Sequence, residues 1–268
     1  QLDDALASDG ALQALADKLK AIRKLLATGG RQLLLVAEQN QLDGFQNAFA
    51  EQFNARSGLS VDRSLRAFKP SMIPVKVAQG WLTSTQVNFC ARAYAAVPAD
   101  HADAPAFTVL GGYLRNSFLH TAIREQGGAY GGGASYDSDA GAFRFYSYRD
   151  PRLEATLDDF DASLRWLLDE QDDHEPRLLE EAILGVISAL DRPRSPAGEA
   201  VAAFYAERSG RTPEQRRKFR HAVLAVTLDD LRRLAREYLT AEKAHTAVIS
   251  DPGKKSVLNE IGLTEENI

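Results

Sequence analysis

Twelve residues near the middle of the chain, Ile123-Arg124-Glu125-Gln126-Gly127-Gly128-Ala129-Tyr130-Gly131-Gly132-Gly133-Ala134, constrain the fold more than any other stretch. Upstream of them Phe107, Leu110, Leu114, Phe118 and Ala122 recur at spacings of three and four. They form one apolar stripe, so a helix is expected over residues 105–125. Gly127 or Gly128 then stops it, because glycine takes the left-handed conformation that closes a helix and a residue with a Cβ resists it. Downstream, residues 129–137 and 141–149 flank the short connection Ser138-Asp139-Ala140, and Phe143, Phe145 and Ser147 alternate with Arg144, Tyr146 and Tyr148. That pattern predicts a β-hairpin. The helix must therefore feed directly into the hairpin, with Arg124 on its last turn and Tyr130 on the first strand.

Spacing alone gives these two residues ordinary roles. An arginine near a helix C-terminus complements the macrodipole, and a tyrosine in a strand usually packs. A phosphate loop is excluded, since neither G-x-G-x-x-G nor G-x-x-x-x-G-K-[ST] aligns and the order is helix then strand, so no helix N-terminus faces the glycines.

The same string closely resembles the substrate-binding segment in the C-terminal half of insulinase/pitrilysin-type zinc peptidases, most of all their presequence protease branch. The likeness continues through Gly141-Ala142-Phe143-Arg144-Phe145-Tyr146-Ser147-Tyr148-Arg149-Asp150-Pro151 and Ser195-Pro196-Ala197-Gly198, from about Pro74 to Pro252. The resemblance implies that Arg124 donates to a substrate carbonyl and that the Tyr130 hydroxyl donates to the oxyanion formed as water attacks the scissile bond. Gly128 and Ala129 are then substrate-binding neighbours. An extended peptide would pair its main chain with the adjoining strand edge, which gives affinity with little dependence on side-chain identity.

These peptidases hold zinc in an H-x-x-E-H motif in their N-terminal half, and this chain does not contain it. The residues three positions after His101, His120, His174, His221 and His245 are Ala104, Ile123, Arg177, Leu224 and Val248. His174-Glu175 would need a histidine at 178, where Leu178 stands. Each histidine is read as a surface or packing residue, and the single Cys90 builds no thiolate site or internal disulfide. No metal is expected in this chain. The chain opens with Gln1 and its only methionine is Met72. These features lead to the expectation of a C-terminal half of a zinc oligopeptidase, inactive alone, whose partner is the zinc-carrying N-terminal half. The alternatives are a zinc-free partner chain of a heterodimeric peptidase and a noncatalytic structural subunit of the same fold.

With 268 residues, 44% hydrophobic content and a formal net charge of -5, the chain suits a soluble globular protein. It does not suit a general binder of nucleic acid or anionic membrane. Arg216-Arg217-Lys218 with Arg220 reads as a solvated helix face or as the wall of a peptide chamber. No apolar run reaches a membrane span, and Asp3 and Asp4 do not resemble the basic start of a signal or transit peptide. A bacterial cytosol is expected, with the mitochondrial matrix as the alternative.

The expected class is α+β, a mostly antiparallel sheet with helices on one face, preceded by the end of a similar domain. Residues 1–66 are taken as that incomplete piece, with helices over 11–28 and 41–56 around a buried strand at Leu33-Leu34-Leu35-Val36-Ala37. Residues 57–73 read as a linker, 67–252 as the complete domain, and 253–268 as an acidic tail. Strands are expected near 75–79, 85–96 and 244–250. Asp150-Pro151, Ser195-Pro196 and Thr212-Pro213-Glu214-Gln215 look like helix starts, as does Thr227-Leu228-Asp229-Asp230 before the face formed by Leu231, Leu234, Ala235 and Tyr238.

Overall fold

The computed structural model describes residues 8–28, 33–56, 76–169 and 175–267. The expected linker therefore lies outside the described residues, as does His174. The chain divides into two units. One comprises Gln1–Met72 with Arg194–Gly210, the other Ile73–Pro193 with Arg211–Ile268.

The first unit holds helices α1 (Asp9–Thr28) and α2 (Gln39–Arg56). Residues 33–38 run between them without strand structure, and Leu33 and Val36 are exposed. The buried strand expected there does not form, because a strand needs a neighbour to satisfy its backbone and among the described residues none pairs with it. Helix α6 (Pro196–Arg208), placed with the sheet domain from sequence, groups with this unit instead and buries none of its residues.

The second unit is built on one mixed sheet of six strands. They are β1 (Ala78–Leu82), β2 (Phe89–Ala95), β3 (Gly131–Asp137), β4 (Ala142–Tyr148), β5 (His245–Ser250) and β6 (Thr264–Asn267). The order across the sheet is β3-β4-β2-β5-β1-β6. The β3–β4, β4–β2 and β2–β5 pairs are antiparallel, whereas β1 runs parallel to both β5 and β6. Residues 253–268 are thus not a tail, since α9 (Lys255–Glu260) leads into β6, whose backbone bonds to β1. The acidic Thr264-Glu265-Glu266-Asn267 has no apolar alternation, and only an edge position tolerates that composition in a sheet.

Helices cover one face. Phe143, Phe145 and Ser147 of β4, Cys90 and Tyr94 of β2, and Val248 and Ser250 of β5 are buried beneath them. On the opposite face Trp81, Ile249, Phe89 and Tyr148 stand in one row across four adjacent strands, beside the smaller Ala247 and Ala91. These residues line an apolar hollow of about 500 Å³. Under the helices, Phe107 stacks on Tyr136 at 5.3 Å, and Phe143 and Phe145 continue the ring contacts to Phe160. Such aromatic pairs add about 0.5–1.5 kcal/mol each beyond their burial.

The helix expected over 105–125 is present but changes its winding. Residues Ala104–Leu114 are α-helix (α3) and Arg115–Gln126 are π-helix, with bonds from i to i+5. The wider turns shift the buried stripe by one residue. Phe107, Leu110 and Leu114 are followed by Leu119 and Ile123, both fully buried, in place of Phe118 and Ala122. Of the remaining helices, α4 (Glu154–Leu168), α5 (Pro176–Leu190), α7 (Pro213–Leu224) and α8 (Leu228–Tyr238), the last two begin in capping boxes on Thr212 and Thr227. Ser195 caps α6 as expected. Asp150-Pro151 does not cap α4. That helix starts at Glu154 behind Leu153, and Asp150 has other partners.

Candidate functional site

The junction between the π-helix and β3 is fixed by a few backbone bonds. Gly127 keeps a helical conformation, and Gly128 supplies the left-handed one, at φ +79°. Gly128 N–H donates to Arg124 O and Ala129 N–H to Ile123 O, both at 3.1 Å, which satisfies carbonyls that a helix end leaves open. Ala129 is buried at this crossing and Gly128 is exposed. Tyr130 precedes the strand instead of lying within it, and its N–H donates to Arg149 O at 3.3 Å.

Arg124 and Tyr130 are both exposed at this junction. Arg124 Nη1 lies 3.4 Å from His120 Nε2, one step back along the helix, and His120 Nδ1 lies 3.3 Å from Glu125 Oε1. Tyr130 is 71% exposed, yet its ring is held edge-on to Tyr148 at 5.9 Å, and Tyr148 in turn meets Phe89 at 5.4 Å. No described residue hydrogen-bonds the Tyr130 hydroxyl. A phenol steadied at its ring and open at its oxygen can donate to an incoming acceptor, and an exposed guanidinium can donate along two edges. Beside them β3 is an edge strand, so one side of its backbone is unpaired among the described strands.

The segment after β4 supports this junction, and sequence reasoning missed it. Arg149 is the one described non-glycine residue with a left-handed backbone, at φ +52°. Asp150 is fully buried. Its main chain pairs with Asn88 at 2.7 and 2.9 Å, and its carboxylate accepts from Arg152 N–H at 2.9 Å and from Thr156 Oγ1 at 2.7 Å. Asn88 Nδ2 donates to the carbonyls of Asp150 and Arg152, while its Oδ1 accepts from Ser250 Oγ at 2.6 Å. Arg152 Nη2 donates to Ala122 O at 3.1 Å and to Asp159 Oδ2 at 2.8 Å. The sequence signals were the Asp-Pro pair, read as a helix cap, and the place of Arg149-Asp150-Pro151 at the end of the resembling string.

Elsewhere the candidates are quiet. Among the described residues no group of three or more His, Cys, Asp or Glu side chains can hold a metal ion. His245 Nδ1 accepts from Val77 N–H and His101 Nδ1 from Asp103 N–H, both at 3.1 Å. Burial pushes the Cys90 thiol up to about 12, despite a hydrogen bond to Ser147. Asp137 and Asp139 do turn chemistry, with Asp137 Oδ1 accepting from the Asp139 and Ala140 amides. In the basic run, Arg220 pairs with Asp191 and Lys218 with Glu214, which makes that helix a solvated face. No described helix is long and apolar enough to cross a membrane.

Presequence protease, mitochondrial, of Yarrowia lipolytica is 40% identical over 172 residues, covering 64% of this chain and 17% of that protein. Across this and two further presequence proteases the chain spans 16% to 22% of the relatives' length. Two solved structures share the fold. Pitrilysin superposes with a TM-score of 0.59 at 12% identity, over 86% of this chain and 25% of that one. A peptidase M16 inactive domain from Pseudomonas fluorescens gives 0.57 at 14%, over 78% and 51%. The pattern that defines the PreP C-terminal domain matches residues 79–250, most of the sheet unit including the helix, the glycine junction and the hairpin. By that match the chain belongs to the PreP C-terminal domain family.

Proposed function

We propose that this chain is the C-terminal part of a zinc-dependent oligopeptidase that encloses short unfolded peptides, and that it contributes the groups that grip the substrate. One observation carries the reading: an exposed guanidinium and an exposed phenol flank a glycine junction at the head of an edge strand. An extended peptide adds its main chain to β3, Arg124 donates to one of its carbonyls, and Gly128 and Ala129 offer close backbone. The Tyr130 hydroxyl donates to the oxygen on which negative charge grows as the amide is attacked, and a donor already aimed there stabilises that charge without reorganisation.

Zinc in such peptidases acidifies the attacking water and polarises the carbonyl. The described residues offer no ligand set for it. We place it in an H-x-x-E-H motif of the N-terminal half, the partner without which this part is inactive. Of the two compartments considered, the mitochondrial matrix has the support of the relatives' names. In the complete enzyme, Tyr130→Phe should lower turnover by roughly 10²–10³ with zinc content unchanged, the usual loss for one oxyanion donor. Equal turnover in that variant removes Tyr130 from the mechanism.

A further inference from the structure

We propose that Arg152 is a positioning residue, which clamps the end of the π-helix so that Arg124 and Tyr130 keep a fixed relative orientation. The proposal rests on the reading of those two residues as the peptide-gripping pair.

The need for a clamp follows from the junction itself. Gly127 and Gly128 are adjacent, and two glycines in succession make the backbone between the functional residues its loosest point. Groups that act together on one substrate must be held to a fraction of an ångström by supporting contacts. The helix closes here with two backbone bonds, from Gly128 and Ala129 to Arg124 O and Ile123 O, and further support comes from outside it.

The Arg149–Arg152 segment supplies it at two points. On one side Arg149 O accepts the Tyr130 N–H. On the other, Arg152 Nη2 reaches Ala122 O, two residues before Arg124, and is itself held by Asp159. The guanidinium also lies directly against Gly127. A Cβ built there would stand 1.9 Å from Arg152 Nη2 and 2.4 Å from Cζ. Gly127 has an ordinary helical φ of -80°, so its lack of a side chain is explained by what crowds it, the Arg152 guanidinium and the Ile123 carbonyl at 2.5 Å, rather than by a left-handed backbone.

The segment is anchored in turn. Buried Asp150 is bonded on its main chain by Asn88 and on its carboxylate by Thr156 and the Arg152 amide, which leaves the segment little freedom. Arg149 sits in a left-handed conformation that a non-glycine residue adopts only where its surroundings impose it. Four residues in sequence thus grip both ends of the glycine pair, and sequence distance hides it: Arg152 and Ala122 are 30 positions apart.

The test uses the complete enzyme with Arg152→Ala and Arg152→Lys, each with and without Arg124→Ala. Peptide hydrolysis gives KM and kcat separately, and amide hydrogen exchange follows residues 122–131. Arg152→Ala should lower kcat/KM by about 10-fold or more, mostly through KM, since a small misplacement of a positioning group has effects of this size. In the Arg124→Ala background the further loss should be under about 2-fold, because two changes acting on one contact do not add. Exchange at Gly128 and Ala129 should quicken while the sheet is unaffected. Arg152→Lys, with a single point of charge in place of a planar fork, should fall between.

Equal losses in both backgrounds overturn the proposal and make Arg152 a general stabiliser. Unchanged kinetics with unchanged exchange overturn it also. If Arg124→Ala alone leaves hydrolysis intact, the peptide-gripping reading is what fails. Exchange then decides the clamp by itself: quickening confined to residues 122–131 upholds it, and no change ends it.

Discussion

A close contact between the π-helix and the sheet gives a stability test at Gly132. A Cβ added there would lie 2.6 Å from Ile123 Cγ2, 3.3 Å from Ile123 Cβ and 3.2 Å from Tyr146 O. None of these atoms can yield easily. Ile123 is fully buried and β-branched, and the carbonyl belongs to the neighbouring strand. Overpacking of this kind costs about 1–3 kcal/mol. Replacing glycine by alanine recovers about 0.4–1 kcal/mol through the unfolded chain. Taking values near the middle of the two ranges, Gly132→Ala should therefore destabilise by about 1–2 kcal/mol. For a unit of this size that lowers Tm by about 2–8 °C. Trp81 and Trp166 both lie in the sheet unit, so urea unfolding followed by tryptophan fluorescence reads the change. The contact is identified by repeating the substitution in an Ile123→Ala background, itself lower by about 2–5 kcal/mol. With Cγ2 gone, the Cβ at 3.3 Å and Tyr146 O at 3.2 Å remain, so Gly132→Ala should cost less without becoming free, a coupling of about 1 kcal/mol. A neutral or stabilising Gly132→Ala in the native chain, or the same loss in both backgrounds, would refute the close-approach reasoning.

Three further outcomes are expected. Arg124→Ala in the complete enzyme should raise KM for peptides several-fold, and unaltered KM and kcat would remove it from substrate binding. Cys90, with its thiol pushed up to about 12 by burial, should resist thiol reagents at neutral pH until the sheet unfolds; fast labelling of the native chain contradicts its placement. Burial first, and the nearby Asp137 and Asp100 charges next, push the Tyr136 hydroxyl up to about 12, and it donates to Val97 O at 2.6 Å. Because its folded value lies above its unfolded one, its contribution to stability is complete below pH ~10 and is lost as pH rises towards ~12. Tyr136→Phe should flatten that alkaline loss, and an unchanged pH profile would count against it.

The hairpin was legible because Phe143, Phe145 and Ser147 alternate strictly with polar and aromatic neighbours, and burial on one face enforces that period. The caps on Ser195, Thr212 and Thr227 were legible for a local reason, since each bond spans three residues. The helix stripe was misplaced by one position because Phe118 and Leu119 are both apolar, as are Ala122 and Ile123, so composition could not choose between windings. β6 gave no signal, being held by backbone bonds at a sheet edge, and the apolar run at residues 33–37 gave a false one, since apolar character does not supply a partner strand. At the junction, the string from Ile123 to Ala134 pointed to Arg124 and Tyr130 through resemblance. Asn88 and Arg152 stayed hidden, because contacts across 30 or 64 positions leave no local pattern.

The change of winding at Arg115 has an effect on direction that no contact of Arg124 records. Each residue of an α-helix turns the chain by about 100°, so the one-residue slip that buries Leu119 instead of Phe118 rotates everything beyond it by a comparable angle. The bearing of the guanidinium is thus stored in the helical pitch upstream of it. Deleting a single residue between Arg115 and Leu119 would put Leu119 and Ile123 at ordinary α-helical spacing from Leu114, so the same face stays buried and the cation keeps its bearing without the wide turns.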